Sequence, residues 1–119
     1  MRLAYTAALL LTTSLALRAA DAVDDLIQQA RAALMKGQAD QALTLLGKAI
    51  ETDAKNKPAR LIRSLVFEGT GKYAEALADL NKVLEIDPAS AEAFDRRGSV
   101  HFKMGKFHDG QSWISDVPG

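Results

Sequence analysis

The chain has 119 residues, of which 48% are hydrophobic and 25% are charged, a composition typical of one small soluble domain. Fifteen basic residues balance fifteen acidic ones, so no basic excess is available to bind a nucleic-acid backbone or an anionic membrane surface. The sequence contains no cysteine, which excludes disulfides, thiolate zinc sites and a cysteine nucleophile.

The first segment of the chain has the layout of a secretory signal peptide. Arg2 gives a positive start, an apolar run extends from Ala7 to Leu17, and small residues occupy positions 20 and 22. The apolar stretch from Leu3 to Leu17 is too short to cross a bilayer. We therefore predict a signal peptide over residues 1–22, cleaved after Ala22 or alternatively after Ala20, and export of residues 23–119 to the periplasm or out of the cell.

The remaining sequence repeats at an interval of 34 residues. Glycines recur at this interval as Gly37, Gly71 and Gly105. Other positions recur with the same interval and without a gap: Ala39, Tyr73 and Phe107; Ala42, Ala76 and Gly110; Leu46, Leu80 and Ile114; Ala49, Val83 and Val117. A repeat of this length indicates a protein built from stacked copies of one small structural unit.

Each repeat is predicted to be a pair of helices joined by a turn. Apolar residues recur at helical spacing on both sides of each glycine. Gly37, Gly71 and Gly105 stand where the first helix must end, a place that often requires a left-handed backbone, and glycine adopts this conformation without steric cost. Asn56 and Ser90 are predicted to cap the first helices of the second and third units.

These residues resemble the tetratricopeptide repeat, whose pattern contains aromatic, glycine, tyrosine and alanine positions and a closing proline. The pattern is carried in the third unit by Phe94, Gly98, His101, Phe107 and Gly110, and in the middle unit by Phe67, Gly71, Tyr73, Ala76, Leu80, Val83 and Pro88. Arg60 replaces an aromatic residue of the pattern, and Arg63 and Arg97 replace leucines. The resemblance covers residues 23–119 and implies an all-α solenoid of helix-turn-helix repeats, wound as a right-handed superhelix. Its units are residues 23–56, 57–90 and 91–119, the last incomplete.

The sequence from Gly69 to Lys72 has the appearance of a phosphate-binding loop. Such a loop requires another glycine five residues before Gly71, a hydroxyl after Lys72 and a strand that leads in, but Val66, Tyr73 and a helix occupy those places. We therefore interpret Lys72 as a solvated turn residue.

No catalytic, cofactor or metal site is predicted, and the chain is not expected to be an enzyme. His101 and His108 are seven residues apart with Asp109 adjacent. His101 stands at a packing position of the repeat, so we interpret the two as one packed and one exposed histidine rather than a metal pair. The sequence offers neither a glycine-flanked serine nor a carboxylate pair placed at an implied cleft.

The resemblance implies a concave face that holds a segment of a partner protein. The residues assigned to this face are Ile27, Arg31, Leu34 and Met35 in the first unit, Leu61, Leu65 and Glu68 in the second, and Asp95, Ser99, Phe102 and Lys103 in the third. We expect an exported adaptor or scaffold whose partner is a protein or peptide, with no nucleic-acid partner and no stable membrane insertion after cleavage. Chaperone-binding members clamp a terminal carboxylate with a lysine and an asparagine. Ile27 and Arg31 occupy those places, so this clamp is not expected.

The third unit stops short of the closing proline of the family and has no capping helix. A truncated or fragmentary chain, an edge that binds another copy or a partner, and a frayed last helix each account for this ending; the first is our hypothesis. The alternative function is a structural unit that self-assembles through its uncapped third repeat, or the N-terminal fragment of a longer repeat protein.

Overall fold

The computed structural model describes the backbone of residues 2–108 and the side chains of residues 17–105. Over residues 2–108 the elements are α1 (Arg2–Met35), α2 (Ala39–Thr52), α3 (Lys57–Gly69), α4 (Tyr73–Ile86) and α5 (Ala91–His108). These residues contain no strand, and the predicted all-α helical-repeat fold is confirmed. The rest of the predicted third repeat, with Ile114 and Val117, lies outside the described residues.

The chain divides into two compact units, with the boundary between Ala54 and Lys55. In the first unit α1 packs against α2, and in the second unit α4 packs against both α3 and α5. None of the helices in the described part of the chain has the length and hydrophobicity needed to cross a membrane.

The turns between α1 and α2 and between α3 and α4 have the same construction. Gly37 has a φ of 74° and Gly71 a φ of 79°, both in the left-handed region, as predicted. The amide that follows each glycine donates to the carbonyl five residues earlier, which satisfies a carbonyl at the end of the first helix. These bonds run from Gln38 to Ala33 and from Lys72 to Phe67, both at 2.8 Å. The repeat of the sequence is therefore also a repeat of the backbone.

The ends of the second helices and the starts of the next ones repeat as well. Asp53 and Asp87 close α2 and α4 with nearly identical backbone angles, φ −138° and −136° with ψ 90° in both. The predicted N-caps are confirmed. The Asn56 side chain accepts the Ala59 amide at 2.9 Å, and the Ser90 hydroxyl accepts the Ala93 amide at 3.2 Å.

The prediction that a helix ends at Gly105 is wrong, because α5 continues to His108. In the pairs α1–α2 and α3–α4, the second helix packs back against the first, and the left-handed Gly37 and Gly71 lie in the turns between them. Gly105 lies inside α5 and adopts the helical conformation, which glycine allows as readily as the left-handed one.

Small and branched apolar residues form the core of each unit. The fully buried residues of the second helices stand 34 residues apart, as the repeat predicts: Ala42 and Ala76, Leu46 and Leu80, Ala49 and Val83. In the second unit, Ala93 and Val100 on α5 complete one cluster with Ala76, Leu80 and Val83. Alanines at the contacts allow the helices to approach closely, and this fixes the position of α5 beside α3 and α4.

Candidate binding groove

A buried cluster of charges holds α3 against α4. Asp79 on α4 is 2% exposed and accepts two hydrogen bonds from Arg63, from Nε and Nη2, each at 2.7 Å. Arg60 adds a third bond to the same carboxylate at 3.3 Å. The side-chain hydrogen bond to Asp79 raises the pKa of Arg63, whose guanidinium also lies 5.7 Å from the ring centre of Phe67. The two arginines that depart from the family pattern therefore neutralise one buried carboxylate.

Beside this cluster, α3 and α5 enclose an open groove of about 400 Å³. Its walls are Leu65, Glu68 and Gly69 from α3 and Asp95, Arg96, Ser99 and Lys103 from α5. Five of these residues belong to the predicted partner-binding face: Leu65, Glu68, Asp95, Ser99 and Lys103. The groove lies entirely within the second unit.

A network of polar contacts crosses the groove from α5 to α3. Glu68, whose side chain is 10% exposed, accepts a hydrogen bond from the Lys103 ammonium at 2.8 Å and another from the Ser99 hydroxyl at 3.1 Å. The hydrogen bond to Glu68 raises the pKa of Lys103, and the carboxylate's charge acts in the same direction. Glu68 is thus neutralised inside the fold, and Lys103 is held in one place.

The other charged groups of the groove lie on α5. Arg96 bonds to Glu92, one turn earlier on the same helix, at 3.0 Å. Asp95 is exposed and makes no hydrogen bond or ion pair with any residue that the structure describes. Leu65 on the facing helix is 40% exposed. The groove therefore offers an accessible apolar side chain and an accessible carboxylate on opposite walls.

The remaining residues assigned to the partner-binding face lie outside this groove. Ile27 is 5% exposed and belongs to the core of the first unit, while Leu34 is half-buried and Arg31 and Met35 are exposed. In the second unit, Leu61 is half-buried against the core cluster, and Phe102 is 52% exposed but does not line the groove.

Sequence reasoning missed Arg96, Gly69 and Asp79. Arg96 lies three and seven residues before Ser99 and Lys103, so its helical spacing placed it on the same face. Asp79 lies among Ala76, Leu80 and Val83 on the apolar face of α4. A carboxylate on an apolar helix face indicates a buried ion pair, and this signal is present in the sequence.

The side of α5 away from the groove carries exposed aromatic and basic groups. Phe94 is 48% exposed, and the Arg97 guanidinium lies 5.1 Å from its ring centre. Arg97 also donates to Asn81 at 3.1 Å. His101 is exposed, so the prediction that it packs is wrong; the side chain of His108 lies outside the described residues. Among the described residues, no group of three potential metal ligands occurs.

The turn with Lys72 has the geometry of a helix end and not of a phosphate cradle. The amides of Thr70, Gly71 and Lys72 all donate to carbonyls of the last turn of α3. A phosphate loop requires such amides to point at its ligand.

A second cavity, of about 300 Å³, lies in the first unit and is lined by Ala19, Ala20, Val23, Thr52 and Asp53. Two of these residues belong to the predicted signal peptide. Cleavage after Ala22 would remove that wall.

Comparison with known proteins identifies the repeat. Residues 70–105, which begin at the turn before α4 and continue into α5, match the family model described as TPR repeat. Heat shock protein STI1 of Saccharomyces cerevisiae is 30% identical over 90 residues, 75% of this chain and 15% of that protein. Protein SGT1 homolog of Oryza sativa subsp. japonica is 30% identical over 86 residues, 72% of this chain and 23% of that protein. The chain thus spans less than a quarter of the length of either relative.

A similar solved structure is that of the second TPR of Spaghetti (RPAP3) bound to HSP90 peptide SRMEEVD. It superimposes with a TM-score of 0.67 and 20% sequence identity, over 79% of this chain and 87% of that chain. At this identity, the likeness establishes the fold.

Proposed function

From the tetratricopeptide-repeat fold of this chain and the repeat at residues 70–105, we propose that it is a non-enzymatic protein-interaction module. The groove between α3 and α5 would hold a segment of a partner protein. The observation that carries this proposal is the grouping of Leu65, Glu68, Asp95, Ser99 and Lys103 around one open volume of about 400 Å³. This volume is within the range of ligand sites. The HSP90 peptide bound to the second TPR of Spaghetti adds support from the same fold.

Selection from a random peptide library on the full chain tests the proposal. Peptides that bind in the groove should lose at least about tenfold in affinity when Leu65→Gln removes the exposed apolar contact. Phe94→Gln is the matched control, because Phe94 is also about half exposed on the second unit but does not line the groove. Selected peptides that bind the Leu65→Gln chain as tightly as the original would contradict the proposal.

The terminal-carboxylate clamp expected of chaperone-binding members of the resembled family is not part of this proposal. Ile27 and Arg31 stand at the clamp positions, and Ile27 is buried. Peptides with a free acidic terminus should therefore bind no better than their amidated forms. A tenfold preference for the acid, measured by fluorescence anisotropy, would show that a clamp exists elsewhere.

We also propose that residues 23–119 are the exported, mature protein. Residues 17–22 are exposed, whereas Val23 is 3% exposed and is the first buried residue among the described side chains of α1. Cleavage after Ala22 would therefore remove none of the described core. Mass spectrometry of protein recovered from the medium or periplasm should give an N-terminus at Val23, or at Asp21 for the alternative site. Recovery of the intact chain from the cytoplasm would contradict export.

Self-assembly through α5 is the second candidate function. Phe94 and Phe102 are large apolar side chains that are about half exposed, which favours burial against another molecule. Light scattering across concentration tests it. A mass that rises with concentration and falls back in Phe102→Ser would support self-assembly, whereas a constant monomer mass would refute it.

A further inference from the structure

We infer that the groove between α3 and α5 selects a basic, apolar segment, in which a lysine or arginine lies near an aliphatic side chain. This inference rests on the proposed function and adds the chemistry of the partner. It follows from which charges of the groove are already neutralised and which are accessible.

The ammonium of Lys103 is not available to an acidic ligand without a loss inside the fold. Glu68 is 10% exposed and is stabilised by Lys103 at 2.8 Å and Ser99 at 3.1 Å. An acidic ligand that took Lys103 would leave this nearly buried carboxylate with one hydroxyl donor. The Lys103 side chain is 44% exposed, but drawing its ammonium away is unfavourable because the nearly buried Glu68 carboxylate keeps its desolvation cost.

The second cation of the groove is also paired. Arg96 bonds to Glu92 at 3.0 Å, so these two side chains together contribute no net charge. Asp95 has no partner among the described residues and is exposed at the groove wall. The charge that remains for a ligand is therefore negative, and a cationic side chain complements it.

Leu65 is the reason for expecting an apolar group in the ligand. This side chain is 40% exposed and lies on the wall formed by α3, while Asp95 lies on the wall formed by α5. A segment that fills the groove would place an aliphatic group on Leu65 and its cation at Asp95. One short stretch of a partner chain can make both contacts.

Two peptide arrays test this inference on the full chain. Each array uses alanine-based peptides with one leucine and one charged residue at every spacing; the charged residue is lysine in one array and glutamate in the other. We expect the lysine array to bind more strongly. The affinity of the best lysine peptide should fall about threefold to fivefold when Asp95→Asn is introduced, which is the range of an exposed ion pair. At high salt the substitution should lower the affinity less.

Charge reversal gives the sharper result. Asp95→Lys should weaken the lysine peptide further and strengthen its glutamate counterpart, which a loss of folding would not do. Glu75→Gln and Glu75→Lys are the matched controls, because Glu75 is an exposed acid of the same unit that does not line the groove, and each changes the net charge equally. Both controls should leave the preference for lysine unchanged.

The outcomes separate the two proposals. Binding to the glutamate array that equals or exceeds binding to the lysine array, or lysine binding that is insensitive to Asp95, would overturn the charge preference. Library peptides that no longer bind the Leu65→Gln chain would then still support peptide binding in the groove. If library selection yields no peptide that depends on Leu65, the proposed function and this inference fail together.

Discussion

The helix pair α1–α2 and the helix pair α3–α4 share the geometry of their turns and of the ends of their second helices, yet they carry different side chains at corresponding positions. The second pair contains Arg60, Arg63 and Asp79, joined by hydrogen bonds of 2.7 to 3.3 Å. The positions 34 residues earlier hold Leu26, Gln29 and Leu45. The comparison shows that glycine turns and small buried residues set the geometry of the repeat. The rest of the interface accepts either apolar groups or charges, provided that each buried charge is paired.

The largest expected effect comes from breaking the charged cluster. Asp79→Ala leaves two arginines beside the core without their carboxylate, and removal of one partner from a buried pair costs about 3 kcal/mol of unfolding free energy. Urea denaturation followed by circular dichroism measures this loss.

Replacing the charged cluster of α3–α4 with the corresponding residues of α1–α2 separates the effect of an unpaired charge from the effect of helix packing. The triple variant R60L/R63Q/D79L carries the residues of the first pair at all three positions. It should lose less stability than Asp79→Ala, because no charge is then left unpaired. A triple variant as unstable as the single one would show that the two interfaces are not interchangeable.

The glycine turns, which the two pairs share, should give the next largest effect. Gly37→Ala and Gly71→Ala should each destabilise the chain by about 1 to 2 kcal/mol, because an alanine resists the left-handed conformation. An added Cβ meets no atom within 4 Å at either position, so the cost is conformational.

Gly47 is the matched control for these turns. It lies inside α2, and its added Cβ also meets nothing within 4 Å. Gly47→Ala should therefore stabilise the chain by up to about 1 kcal/mol, the opposite sign, because alanine favours the helix. The same sign at all three glycines in denaturant unfolding would contradict the assignment of strain to the turns.

The repeated turns and caps could be predicted because their signals are local. Gly37, Gly71, Asn56 and Ser90 each act through backbone groups a few residues away, so residue type and spacing were sufficient. The charged cluster could not be predicted in this way. Its bonds join Arg63 to a residue sixteen positions later, and they depend on the rotation of both helices.

The candidate groove was predictable in part, for a related reason. Ile27, Leu61 and Asp95 occupy the same position of successive repeats, yet they are buried, half-buried and exposed. A position in the repeat fixes the face of the helix on which a residue lies. It does not fix what covers that face, because coverage depends on the neighbouring helices.

Loss of an N-cap should have a smaller effect on stability than loss of a turn glycine. Asn56→Ala removes the acceptor for the Ala59 amide and should cost about 1 kcal/mol. Asn56→Asp keeps an acceptor and should retain most of the stability. Ser90→Ala should cost a similar amount to Asn56→Ala, because Ser90 has the same role one repeat later. Thermal unfolding of the three variants measures these differences, and an unchanged stability in Asn56→Ala would show that the Asn56 cap does not stabilise the protein.

The smallest expected effect is a pH dependence that belongs to the second pair. The Lys57 ammonium, at the start of α3, lies 3.1 Å from Asp87 at the end of α4, and Val23 stands 34 residues earlier. The hydrogen bond from Lys57, helped by one from the Ala89 amide at 3.2 Å, lowers the pKa of Asp87 below its ordinary value. The contribution is therefore present above the unfolded pKa of about 3.9 and is lost as the pH falls through the lower folded value.

Asp87→Asn tests this sign. The original chain should be slightly more stable than the variant at neutral pH, and the difference should shrink as the pH falls below about 4. Lys57→Met should reproduce much of the effect, since it removes the larger cause of the lowered pKa. Urea denaturation at several pH values measures both. A difference that stays constant from neutral to acid pH would show that the charge of Asp87 does not contribute to stability.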